Sequence, residues 1–315
     1  MRIGIVGGGA LGLLFTSQLS ATTAQIELIT HTPNQSNLLN RQGLQFQDQN
    51  GIRSIPIQAY CICSPNDSAN SSRPMDWLFL MVKQKDISDS LLKQLVQLST
   101  EETRIVCFQN GIGHFELLMK VFPAHRLYAA ITTEGAFKLS DHSIKHAGHG
   151  VTWLGRAEES ASCMPEWDEP EKMLQSMLKE AGFEVYLSKK ITSNIWNKLL
   201  INATINPLTA IFQTKNGALL ESVYAQDLMK ALLEEGTMVA RHARIEIADD
   251  LWEQLLQVIE RTAENHSSMM KDIAEGRTTE IDWINGALLQ CANQYKLALP
   301  THQTVYRMVK YVESR

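Results

Sequence analysis

Arg2-Ile-Gly-Ile-Val6-Gly7-Gly8-Gly9-Ala10-Leu11-Gly12 is the stretch that decides the fold. The short apolar run reads as a strand, and the glycine loop that follows it opens a helical segment. Strand, G-x-G-x-x-G turn and helix in direct succession are the opening of a dinucleotide-binding βαβ unit. Each glycine has a physical task. Gly7 permits the tight turn, Gly9 lets the main chain approach a pyrophosphate, and Gly12 allows the helix to pack closely on the strand. Gly8, Ala10 and Leu11 complete the loop, whose free N–H groups and positive helix end face the phosphates.

The next strand, Gln25-Ile-Glu-Leu-Ile-Thr30, runs into His31 where an acid would grip the adenosine ribose of NAD. Without a carboxylate there, a 2′-phosphate meets no repulsion, and Thr30, His31, Asn34 and Gln35 offer donors. NADPH (NADP+) is the expected cofactor.

Further along, Trp77-Leu-Phe-Leu-Met-Val82 and Arg104-Ile-Val-Cys-Phe108 alternate with amphipathic segments, which predicts a parallel sheet. Asp48-Gln-Asn-Gly51 predicts a hairpin or antiparallel edge between two short runs. The turn formers of 64–74 predict a surface loop, and further short strands are expected near 127–133, 142–155 and 183–187. After residue 188 apolar residues recur at helical spacing through 190–212, 223–245, 249–274 and 280–295. A chain of 315 residues exceeds what one core usually organises. The expected fold is therefore α/β: a Rossmann-type doubly wound N-terminal domain over 1–188, followed by an all-helical C-terminal domain over 189–315.

A formal charge of -5 gives no field that would gather nucleic acid. No apolar run approaches the roughly 20 residues that cross a bilayer, and the short start is not a signal peptide, so no membrane partner and a cytoplasmic location are expected. The five cysteines, at 61, 63, 107, 163 and 291, are odd in number and scattered, which points to reduced thiols. Cys61 and Cys63 are expected on one face of a short strand, in a structural role.

Lys198, Asn202 and Asn206 recur every four residues within Asn194-Ile-Trp-Asn-Lys-Leu-Leu-Ile-Asn-Ala-Thr-Ile-Asn-Pro-Leu-Thr-Ala210, which puts them on one helix face. Taken alone, that face is either solvated or an inward polar set that needs partners. Together with the glycine loop, Asn110-Gly111, Trp196-x-Lys198-Leu199, Asn206-Pro207-Leu208-Thr209-Ala210, Asn216-Gly217, Ser267-Ser268-Met269 and Glu280-Ile281-Asp282, the chain resembles the ketopantoate reductases over nearly its whole length. The resemblance implies NADPH-dependent reduction of ketopantoate to pantoate, on the route to pantothenate and coenzyme A. It implies Lys198 as the general acid and Glu280 as its catalytic partner, with Asn110, Asn202, Asn206, Asn216 and Ser268 around the substrate. Asn110 and Lys83, each following a strand end, would lie near the cofactor. Members with a clear NADP preference carry arginine where this chain has His31.

An ammonium can stabilise and protonate the alkoxide that hydride delivery creates, and amides and a hydroxyl suit the carboxylate and hydroxyl of a small 2-keto acid. Two alternatives stay open: a reductase of another 2-keto acid, and a non-catalytic NADP(H) sensor. His142, His146 and His149 match no common structural zinc spacing, so no metal is expected. The amphipathic stretch Trp252-Glu-Gln-Leu-Leu-Gln-Val-Ile-Glu-Arg261 packs most simply within its own domain and leaves a homodimer open.

Overall fold

The structure is a computed structural model that describes residues 1–63, 74–157 and 166–315. Two units organise it: Met1–Gln109 with His114–Ile191, and Asn110–Gly113 with Thr192–Arg315.

The first unit contains β1 (Arg2–Val6), α1 (Ala10–Leu19), β2 (Gln25–Thr30), α2 (Pro33–Gln42), β3 (Leu44–Asp48), β4 (Gly51–Ile55), β5 (Gln58–Cys61) and β6 (Trp77–Leu80). It continues with α3 (Asp89–Gln97), β7 (Arg104–Cys107), α4 (His114–Leu118), β8 (Leu127–Thr132), β9 (Gly135–Ser140), β10 (Ser143–Gly148), β11 (Val151–Arg156), α5 (Glu169–Glu180) and β12 (Glu184–Leu187). Among the described residues an eight-stranded sheet runs in the order β12-β11-β8-β7-β6-β1-β2-β5. Every pairing from β5 through β8 is parallel, whereas β11 meets β8 antiparallel and β12 follows β11 in parallel. The apolar runs explain this. Trp77-Leu-Phe-Leu80 is buried at every position, as a central strand covered on both faces must be.

A smaller sheet, ordered β4-β3-β10-β9, was not foreseen as a separate layer. Its β3–β4 hairpin turns at the predicted Asp48-Gln-Asn-Gly51, and β10 pairs with β3 in parallel. The helix α1 packs on β1 and β2 and also on β3, β9 and β10. That explains its apolar sequence: a helix covered by two layers has no face left for water. Within this core Phe15 stacks on Phe183 with ring centroids 4.1 Å apart and meets Phe108 edge-on at 5.0 Å.

Several details depart from the expectations. The strand expected over 142–155 is two, β10 and β11, broken at His149 and Gly150, and β9 was missed. Its sequence Gly-Ala-Phe-Lys-Leu-Ser is largely exposed and lacks the apolar run that marked the other strands. Cys61 and Cys63 do not share a strand face, because β5 ends at Cys61, which is buried and donates its thiol to the His31 carbonyl at 3.2 Å. Residues 64–73 of the expected loop, and Cys163, lie outside the described residues.

In the second unit the helices are α6 (Ile191–Phe212), α7 (Val223–His242), α8 (Leu251–Arg261), α9 (Ser268–Ala274), α10 (Asn285–Gln294) and α11 (Pro300–Glu313). The single helix expected over 249–274 is α8 and α9, separated because the Ser267 hydroxyl caps a new helix by accepting the N–H of Met270. α11 was not foreseen.

Pro207 lies inside α6, where it has no N–H for the Ala203 carbonyl. Asn285 of α10 supplies the missing donor, its Nδ2 reaching Ala203 O at 2.9 Å. The same amide is 3.0 Å from His302 Nδ1, and His302 Nε2 is 2.9 Å from the Leu232 carbonyl. Carbonyls only accept, so Nε2 carries the ring proton and Nδ1 accepts from Asn285. Burial holds His302 below the ordinary histidine range, consistent with a neutral ring. No helix among the described residues is long and apolar enough to cross a membrane.

Candidate active site

The glycine loop leaves the end of β1 with Gly7 at φ +121°, a conformation that a side chain would strain. A Cβ on Gly12 would meet the Gly7 carbonyl oxygen at 1.9 Å, so close packing of the helix on the turn requires glycine there. A Cβ on Gly9 would meet nothing within 4 Å among the described residues. Gly9 is the N-cap of α1 and has no side chain to engage the first-turn N–H groups. The open space at Gly9 and the helix start beside it fit a dinucleotide pyrophosphate.

Gln35 is the residue here that the motif did not reveal. Its buried amide donates to Gly8 O at 2.8 Å and to Asp141 O at 2.9 Å, fixing the loop from α2. A Cβ on Gly8 would collide with that amide, which accounts for the middle glycine. Gln35 is therefore occupied with the loop, and the buried Thr30 hydroxyl is engaged with the Thr32 carbonyl at 3.0 Å. Of the four expected phosphate donors, His31 and Asn34 remain at the surface. Lys83 is half-buried just beyond β6, where it caps a short 3-10 turn over Gln84–Asp86.

In the second unit Asn110 and Glu280 meet. Asn110 Nδ2 donates to Glu280 Oε2 at 3.2 Å. Two local features make this contact. Gly111, at φ +82°, lies so close to the Trp283 carbonyl that a Cβ would approach its oxygen to 2.2 Å. Glu280 begins a tight turn whose carbonyl accepts from Trp283 and Ile284 N–H, each at 3.1 Å. Its neighbour Thr279 is tied to α11 by a backbone N–H bond to Glu313 Oε1 at 2.8 Å.

Lys198 interacts electrostatically with Glu280. The lysine keeps some solvent contact, but the protein packed around its ammonium desolvates it and pulls its pKa down to about 8, against the opposing pull of the Glu280 carboxylate. Along the same face of α6, Asn202 is half-buried and Asn206 is buried. A fully solvated polar face does not describe this helix.

Ser268 is exposed at the first position of α9, and the adjacent Ser267 receives a bond from Thr209 of α6 at 2.7 Å. Asn216 is buried, its Nδ2 donating to Thr262 Oγ1 at 2.8 Å, so that side chain joins its own turn to the end of α8.

A glycine cradle shaped for a dinucleotide, in a chain that also holds a desolvated lysine, a carboxylate and amides, defines the class of two-part dinucleotide-dependent oxidoreductases. The family model described as ketopantoate reductase PanE/ApbA matches residues 3–159, and that of its C-terminal part matches residues 190–313. The chain belongs to the ketopantoate reductase family. It is 32% identical to a 2-dehydropantoate 2-reductase of Bacillus subtilis, over 99% of this chain and 98% of the relative. It is 30% identical to that of Archaeoglobus fulgidus, with the same shares covered. The solved 2-dehydropantoate 2-reductase of Geobacter metallireducens shares its fold with a TM-score of 0.86, at 24% identity and 99% of each chain. A D-mandelate dehydrogenase solved with NADH and anilino(oxo)acetate shares it at 0.85, 24% identity, over 100% of this chain and 99% of that one.

Proposed function

We propose that this protein is a 2-dehydropantoate 2-reductase, reducing ketopantoate to pantoate with NADPH, with Lys198 as the general acid. The observation that carries the reading is the desolvated Lys198 ammonium coupled to Glu280, with the Glu280 carboxylate in turn bonded to Asn110. When bound, the reduced nicotinamide supplies a hydride to the C2 ketone. Lys198 Nζ stabilises the negative charge that develops on the ketone oxygen and delivers a proton to it. A lysine titrating near 8 is mostly protonated at neutral pH yet releases its proton more readily than an exposed one. Glu280 keeps the ammonium charged and accepts from the new hydroxyl. Asn110, Asn202, Asn206, Asn216 and Ser268 hold the substrate carboxylate and terminal hydroxyl, and Lys83 assists the cofactor.

The preference for NADPH rests on the absence of a carboxylate at the tip of β2 and on the exposed His31 and Asn34 beside it. The small anionic substrate needs no membrane or nucleic-acid partner, and this reading puts the enzyme in the cytoplasm. Two domains divide the work, 1–188 for the cofactor and 189–315 for the substrate, with Asn110 contributed to the second from within the first.

The test is to mix the purified protein with NADPH and ketopantoate and follow the absorbance of the reduced nicotinamide, with pyruvate and 2-ketoisovalerate as controls. Turnover is expected with ketopantoate above both. Preference for a control would make this a reductase of another 2-keto acid. Bound cofactor without any turnover would favour the sensor.

A further inference from the structure

We infer that Glu134, His146 and His149 form a binding site for a divalent transition ion, zinc first among them. The three residues each offer one ligand atom, and these atoms lie within 4.8 Å of one another. Glu134 follows β8, His146 belongs to β10, and His149 sits in the corner between β10 and β11, so the set is assembled by strand pairing within the first unit. Spacing along the chain misleads here. It groups His142 with the other two histidines, whereas the fold replaces His142 with a carboxylate twelve residues before His146.

The backbone forces the approach. A Cβ on Gly150 would lie 2.3 Å from the Thr133 carbonyl carbon and 2.4 Å from the Glu134 nitrogen, so the corner carrying His149 is pressed onto the segment carrying Glu134. The rings of His146 and His149 meet edge to face with centroids 4.5 Å apart. Glu134 Oε2 and His146 Nε2 are 2.7 Å apart, and their side chains are 1% and 5% exposed. A carboxylate this buried needs a compensating charge. The Glu134–His146 contact alone gives His149 no role in the cluster. A metal ion satisfies all three groups together.

Two imidazoles and one carboxylate are a ligand set for zinc and its first-row neighbours rather than for calcium or magnesium. Zinc bonds of roughly 2.0–2.2 Å in tetrahedral array would set the ligand atoms about 3.3 Å apart. Reaching that spacing asks for small side-chain adjustments: Glu134 and His146 open slightly from 2.7 Å, and His149 moves inward. His149 is exposed and provides the entry path. Three protein ligands leave the fourth position to water or a solute anion.

Titration calorimetry of the full-length protein with zinc chloride, after chelator treatment, tests the site directly. One zinc per chain is expected, together with a rise in melting temperature and cobalt(II) absorption bands of tetrahedral type. His149→Ala and Glu134→Gln should each weaken binding by at least about tenfold and abolish the thermal shift, while Cys63→Ser leaves both intact. Circular dichroism of His149→Ala separates ligand loss from misfolding, since the side chain it removes is exposed. Failure of the wild type to bind zinc, or equal affinity in His149→Ala and wild type, would overturn the site.

Discussion

Asn110 Nδ2 donates to Glu280 Oε2 across 3.2 Å and 170 residues of sequence, joining the segment after β7 to the turn before α10. Glu280 in turn raises the pKa of Lys198 while desolvation, the larger influence, lowers it. A general acid must be protonated, so kcat/KM is expected to fall as pH rises through about 8. Glu280→Gln removes the raising influence and should move that inflection to lower pH. Rate profiles of both proteins from neutral to alkaline pH check this, and an unmoved inflection would uncouple the two residues.

Lys198→Ala should lower turnover by about 100-fold or more, the usual loss on removing a general acid. Binding of NADPH, followed by its fluorescence, should persist, because the glycine cradle is built without this residue. Near-normal turnover would exclude Lys198 as the proton donor.

His31→Arg should increase the preference for NADPH over NADH, since a permanent guanidinium meets a phosphate with two parallel bonds where an imidazole offers one. The gain is expected at roughly tenfold, one charge-assisted hydrogen bond's worth. Comparing kcat/KM for the two cofactors in both proteins reads it, and an unchanged ratio would move phosphate recognition to Asn34 or beyond.

Asn285→Ala strips the donor from both the Ala203 carbonyl and His302 Nδ1. Two buried acceptors lose their partner, so a loss of about 2–3 kcal/mol in unfolding free energy is expected from denaturant titration. A second substitution, Pro207→Ala, restores an N–H to the helix and should recover part of that loss. Full additivity of the two changes would argue against the shared carbonyl.

His114 predicts an acid-labile first unit. It is buried with Nδ1 unpartnered among the described residues, and desolvation lowers its pKa from 6.5 to about 4. The folded state thus resists the proton that the unfolded chain takes up. Stability is complete above about 6.5 and drains away as pH falls toward about 4, by up to about 3 kcal/mol for this group. His114→Leu should flatten that part of the pH dependence, measured by urea titration at each pH.

Much of the architecture was legible because it is local. The β1 strand, its glycines and α1 follow one another directly, and the parallel strands are continuous apolar runs that nothing but a covered sheet would tolerate. The second sheet was hidden because β3 and β10 are neighbours in space and far apart in the chain, while β9 is largely exposed and carries no apolar run. The separation of α8 from α9 was masked by apolar spacing that continues across the serine cap. In the candidate site the spacing of Lys198, Asn202 and Asn206 could be read from the helical period. That Asn110 would reach Glu280 could not, since the contact depends on Gly111 pressing against a carbonyl of a distant turn. Gln35 carried no motif, although it holds the most recognisable loop in the chain.

The grouping of Asn110–Gly113 with the helical unit has a consequence for how the enzyme is made. During synthesis the glycine cradle and Asn110 leave the ribosome well before Glu280, which follows Asn110 by 170 residues. A chain cut short before that point carries the parts that grip a dinucleotide but lacks the carboxylate that Asn110 and Lys198 share. Expressing the helical half alone fails in the opposite way, leaving Glu280 without its amide. A split placed before Asn110 instead keeps Asn110, Lys198 and Glu280 on one piece.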